Sequence, residues 1–146
     1  MPPNPHSQSL RKGRRSEPGQ FYLITAVTLD RQPLFKDLQS ARVLINILRE
    51  ASLRNQAQTW AYVVMPDHFH WLMQLENESL SKAVQRIKRL TSAQLGRRVW
   101  QDGFHDRAVR SEENLKAMAR YIIANPLRAG LAESVGDYSH WDAVWL

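Results

Sequence analysis

The sequence predicts an α+β domain built on a mostly antiparallel sheet of four to five strands with helices on one face. Three observations carry that expectation. Short β-branched and aromatic runs alternate with longer segments whose apolar residues recur at helical spacing. Two of the runs are separated only by Pro66 and Asp67, which reads as a tight antiparallel hairpin. A length of 146 residues with a hydrophobic share of 43% suits one core in one domain.

Taken in order, residues 1–20 (MPPNPHSQSLRKGRRSEPGQ) are rich in Pro, Ser, Gln and basic groups, and read as a flexible basic arm. The folded domain then occupies 21–146. Residues 21–29 (FYLITAVTL) form a strand, ended by the turn residues Asp30, Arg31, Gln32 and Pro33. Leu38, Ala41, Leu44, Ile45 and Leu48 place a helix over about 37–54, with Asp37 or a neighbour near its start. Residues 59–64 and 68–75 are the two strands of the hairpin. Leu80, Val84, Ile87, Leu90 and Leu95 mark the apolar side of a second helix. A fourth strand is expected near 104–109, with Trp100 and Phe104 packing under the third helix. That helix covers 114–124 and stops at Asn125-Pro126, because proline disfavours helical geometry in the residue before it. The tail from 138, with Tyr138, Trp141 and Trp145, packs back as a C-terminal turn. The order strand, helix, strand, strand, helix, strand, helix is the split β-α-β arrangement of ferredoxin-like domains.

Composition narrows the chemistry. The absence of cysteine excludes a disulfide framework, thiolate metal sites and cysteine nucleophiles. No stretch of about 18 apolar residues is present to span a membrane, and the N-terminus is interrupted by Arg11, Lys12, Arg14 and Arg15 where a signal peptide would be apolar. A soluble cytoplasmic protein is expected. The net charge of +6 favours a polyanionic partner. Lys82, Arg86, Lys88, Arg89, Arg97 and Arg98 follow one another with no acidic residue between them, a run that suits phosphate binding and equally suits a solvated helix face.

His68 and His70 flank Phe69 on a strand, so both imidazoles point to one face while Phe69 points to the other. Two nitrogens on one rigid element can hold a metal ion; two half-buried histidines at a strand end can also be purely structural. Leu72 in the next alternate position excludes the H-x-H-x-H pattern of nucleotide hydrolases. Tyr121 and Asn125, four residues apart, share one helix face. Taken alone, the tyrosine reads as packing and the asparagine as a helix terminator. His105 is compatible with metal or phosphate binding and with an ordinary surface position.

The stretches 62–72 (YVVMPDHFHWL), 100–107 (WQDGFHDR) and 120–131 (RYIIANPLRAGL) together resemble the Y1 transposases of the IS200-like class, in particular the REP-associated tyrosine transposases of bacteria. The likeness runs from about residue 13 to the C-terminus. It implies a ferredoxin-like nuclease of the His-hydrophobic-His type, in which Tyr121 attacks DNA. It further implies that His68, His70 and Asn125 are metal ligands, asparagine standing where mobile insertion-sequence relatives usually carry glutamine. Hairpin-forming repeats between genes would be the substrate, placing the protein at the nucleoid, and a monomer is favoured over a dimer with exchanged tyrosine helices. Asp67 stands where many relatives have asparagine, a change expected to alter the turn without touching the ligands.

The implied chemistry is coherent. A phenol, with a pKa near 10, needs assistance to attack a phosphodiester at neutral pH. A divalent ion would polarise the scissile phosphate, and a mixed nitrogen and oxygen site without thiolate suits Mg²⁺ or Mn²⁺. Attack by Tyr121 would leave a 5′-phosphotyrosine and a 3′-hydroxyl, conserving bond energy for rejoining without a small-molecule cofactor. The basic run from Lys82 to Arg98 would neutralise the backbone of single-stranded DNA, and Arg11, Lys12, Arg14 and Arg15 would grip a hairpin. Two other readings stay open: a hairpin-binding protein of transposase descent that does not cleave, and a phosphoesterase that uses water instead of Tyr121.

Overall fold

The structure, a computed structural model, describes residues 17–128 and 141–143, with 126–128 and 141–143 described by their backbone. The expected arm up to residue 16, including Arg11, Lys12, Arg14 and Arg15, lies outside the described residues, as do Tyr138 and Trp145.

Strand β1 (Phe21–Val27) alternates half-buried and buried positions along its whole length, as a central strand with unlike faces requires. Two short 3₁₀ turns lead to α1 (Leu38–Leu53). Asp37 caps α1, its carboxylate accepting from the Ser40 backbone N–H at 3.1 Å. Strands β2 (Ala57–Met65) and β3 (His68–Leu75) form the expected hairpin, with Met65 opposite His68 across Pro66 and Asp67. Helix α2 (Leu80–Leu95) is capped by Ser79 and ended by Gly96, whose φ of 68° is the left-handed geometry that favours glycine. Arg97 and Arg98 therefore lie past the helix, not on it. Strand β4 (His105–Val109), helix α3 (Glu112–Arg128) and the short strand β5 (Trp141–Ala143) complete the chain.

The five strands pair antiparallel in the order β4-β1-β3-β2-β5. The inner order follows from the split β-α-β connectivity, since each of α1 and α2 carries the chain past one intervening strand. Of the expected tail, the described Trp141–Ala143 returns to the body as an edge strand on β2.

Two expectations are corrected. First, the helices do not all share one face. Tyr22, Ile24, Ala26, Phe69, Trp71 and Met73 face a core closed by α1 and α2, and Trp100 and Phe104 pack there and not under α3. Ala61, Val63, Met65 and Leu72 face the other way and are covered by Leu115, Ala119, Ile122 and Ile123 of α3. Both sheet faces are apolar in the strand centres, so each must be covered, and one helix layer cannot do both. Second, α3 does not stop before Pro126 but continues to Arg128. Proline lacks the N–H that would reach the Ile122 carbonyl, which weakens a helix without forbidding it when the helix is anchored by packing. Ile122 and Ile123, both buried, supply that anchor.

Candidate metal and nucleophile site

Strand β3 presents His68 and His70 on the sheet face that α3 covers. Their ring centroids are 5.0 Å apart with planes inclined at 78°. On β2, Met65 lies opposite His68 and Val63 opposite His70, and both Met65 and Val63 belong to the apolar cluster that includes Ile122 and Ile123. The side chains flanking the imidazoles are thus the ones on which the tyrosine helix rests. Tyr121, adjoining Ile122, borders the buried stripe and is 49% exposed, while Asn125, one turn later, is half-buried. The structure brings the helix of Tyr121 and Asn125 onto the face of His68 and His70.

Both imidazoles are held at Nδ1. Thr25, directly across β1 from His70, places its Oγ1 at 2.8 Å from that ring's Nδ1. The Asp67 carboxylate lies 2.7 Å from His68 Nδ1 through Oδ1, and its Oδ2 accepts from Arg31 at 3.1 Å. Burial alone would push the Asp67 carboxyl up, but the hydrogen bonds from His68 and Arg31 outweigh it and hold the group below the ordinary carboxylate range. Where Nδ1 carries the hydrogen, Nε2 is the nitrogen that could meet a metal ion, the arrangement in which outer partners orient metal-binding histidines. The pair therefore fits a divalent ion. Among the described residues no group of three His, Asp or Glu completes a metal site, so a third protein ligand would have to be of another kind, such as the amide oxygen of Asn125.

The turn after β1 is strained. Asp30 and Arg31 have φ of 54° and 50°, a left-handed geometry that costs a non-glycine residue about 1–2 kcal/mol each. It is stapled by the fully buried Thr28, whose backbone N–H donates to the Asp67 carbonyl at 2.9 Å. Sequence reasoning missed Thr25, Arg31 and the contact of Asp67 with His68, and its expectation that Asp67 leaves the ligands untouched is corrected. Adjacency to His68 at the tight turn was an available signal for Asp67. Thr25 and Arg31 depend on the cross-strand register, which no local pattern reveals.

The basic run is dispersed. Helix α2 lies on the sheet face opposite the imidazoles. Lys82, Arg89, Arg97 and Arg98 are exposed. Arg86 is instead half-buried in a bidentate ion pair with Glu78, and Lys88 donates to the carbonyls of Gln101 and Gly103 at 3.0 and 2.7 Å. Both cations are thus engaged within the domain itself. Arg97 returns toward the site end of the sheet, donating to the Gln32 side chain at 2.9 Å. His105 lies opposite Thr25 on the β4 side and is exposed.

A family model described as IS200-like transposase matches residues 19–125. The REP-associated tyrosine transposase of Escherichia coli (strain K12) is 28% identical over 81 residues, covering 53% of this chain and 49% of that protein, so the match spans about half of the relative's length. A solved structure of a REP-associated tyrosine transposase bound to a REP hairpin superposes with a TM-score of 0.74 at 23% identity, covering 88% of this chain and 79% of that one. A candidate transposase from Deinococcus radiodurans R1 superposes with a TM-score of 0.55 at 21% identity, covering 75% of this chain and 93% of that one. At these identities the two superpositions establish the fold. Among the described residues no helix is long and apolar enough to cross a membrane.

Proposed function

The chain belongs to the IS200-like transposase family, and on that footing we propose that it is a DNA transesterase that cleaves and rejoins single-stranded DNA at hairpin-forming repeats. The observation that carries this reading is the docking of α3 on the histidine face of the sheet, through Ile122 and Ile123 against Val63 and Met65. A tyrosine used only for packing would be buried, whereas Tyr121 stands half-exposed beside that contact. The REP hairpin in the related structure supports the substrate class.

In this reading Tyr121 Oη attacks the scissile phosphorus and displaces the 3′-oxygen. A 5′-phosphotyrosine forms, and the phenolic proton is matched by the proton gained at the released 3′-hydroxyl. Reversal by another 3′-hydroxyl rejoins the strand. His68 and His70, with Asn125 as the third ligand, would hold Mg²⁺ or Mn²⁺. Bound there, the ion would neutralise charge on the phosphate oxygens. Thr25 and Asp67 keep the two rings from rotating, so the cost of ordering them is met on folding. The exposed cations Lys82, Arg89, Arg97 and Arg98, and the arm residues Arg11, Lys12, Arg14 and Arg15, would neutralise backbone phosphates beyond the site.

A denaturing gel of end-labelled hairpin DNA from the source genome, incubated with Mn²⁺ or Mg²⁺, tests the proposal. A protease-sensitive adduct is expected with wild type and lost in Tyr121→Phe and His68→Ala. Cleavage without an adduct that persists in Tyr121→Phe would instead assign a water-using phosphoesterase. Tight hairpin binding with no cleavage would make the protein a non-cutting hairpin binder.

A further inference from the structure

The strained turn after β1 has a consequence for the site. Arg31 is 66% exposed and adopts a left-handed backbone conformation, yet its guanidinium is directed at Asp67 Oδ2, 3.1 Å away. The other carboxylate oxygen, Oδ1, lies 2.7 Å from His68 Nδ1. The backbone of Asp67 is itself pinned, its carbonyl receiving the Thr28 N–H at 2.9 Å with the Thr28 hydroxyl at 3.0 Å. A carboxylate has only acceptors, so the imidazole nitrogen facing it must carry hydrogen. The Thr25 hydroxyl facing His70 can donate or accept, so that bond by itself does not fix a tautomer. The two rings are alike in sequence and unlike in what holds them.

We propose that Arg31 and Asp67 form a positioning pair: Arg31 fixes the Asp67 carboxylate, which locks His68 in the tautomer with hydrogen on Nδ1 and presents Nε2 as a metal donor. The metal half of this inference rests on the proposed function; the tautomer half belongs to the protein without metal. A purely structural ion pair at the turn would stabilise the hairpin and leave the tautomer of His68 unselected.

The two halves are read separately. Two-dimensional ¹⁵N NMR of the imidazoles in the metal-free protein at pH about 8, where an ordinary histidine is neutral, reports which nitrogen carries hydrogen. Wild type is expected to show His68 almost wholly as the Nδ1–H form. Asp67→Ala should give a mixture, Asp67→Asn should retain the form through its amide oxygen, and Arg31→Ala should give a partial mixture with the fold intact. In parallel, Mn²⁺ affinity should fall by about 10- to 100-fold in Asp67→Ala, the usual cost of losing an outer partner, and by less in Asp67→Asn. A wild-type His68 protonated at Nε2, or a tautomer unchanged in Asp67→Ala, overturns the positioning pair. A tautomer that responds as expected in a protein that binds no Mn²⁺ upholds the pair and overturns the metal reading.

Discussion

Replacing Ile122 by alanine tests the placement on which the site depends. Ile122 is fully buried between α3 and the histidine face of the sheet. The substitution removes three buried carbons, which at about 0.8 kcal/mol each amounts to roughly 2.4 kcal/mol of transfer free energy. A cavity against a strand hairpin collapses poorly, so the total should lie in the upper part of the usual range of about 2–5 kcal/mol. For a chain of 146 residues, at about 3 °C per kcal/mol, the expected loss in Tm is about 10–15 °C. Circular dichroism melts measure it, with Lys116→Ala as control. Lys116 is exposed and pairs with Glu112 at 3.6 Å, so its loss should cost less than about 0.5 kcal/mol. At a temperature where Ile122→Ala is folded, adduct formation should still drop, because Tyr121 follows the helix. A Tm loss under about 3 °C would mean that α3 is not docked on this face, and the tyrosine helix would no longer belong to the histidine side of the sheet.

Other outcomes follow from single contacts. Thr59→Val removes the acceptor of the Trp71 indole N–H, bonded at 2.8 Å with Trp71 fully buried; urea unfolding should show a loss of about 1–3 kcal/mol, and a change under about 0.5 kcal/mol would show that another acceptor replaces it. Ser79→Ala deletes the cap that accepts the Lys82 N–H at 3.2 Å and should cost about 1 kcal/mol; an unchanged Tm would show that the first turn of α2 needs no cap. Because Asp67 is held below the ordinary carboxylate range in the folded protein, its contribution is complete above the unfolded pKa near 3.9 and is lost as pH falls through the lower folded value. The Tm difference between wild type and Asp67→Asn should therefore be constant above pH about 5 and shrink below pH about 4; a difference that grows on acidification would reverse the sign of the argument.

The folded elements were legible to different degrees. Strand β3 is found where its alternation placed it, and Asp37 caps α1 as its position before an apolar-periodic segment implied. The end of α3 was misplaced because a local rule about the residue before proline was set against packing that the sequence does not display. The helix faces were misassigned for a related reason. Apolar periodicity says that a helix must be covered, and is silent about which side of a sheet covers it.

For the site, sequence alone determined the residue types and two local pairings: His68 with His70 on one strand face, and Tyr121 with Asn125 on one helix face. Both follow from periods of two and of 3.6 residues, which need no tertiary information. Only the tertiary structure decided that the helix of Tyr121 and Asn125 packs on the sheet face of the two histidines, through Val63, Met65, Ile122 and Ile123. It alone decided that Arg86 and Lys88 are taken up by Glu78 and by backbone carbonyls, and that Arg31 and Thr25 reach the imidazole shell. Side-chain period is a property of the backbone, whereas partnership across strands depends on register and on which sheet face each helix covers, and those are settled by burial of the whole chain at once.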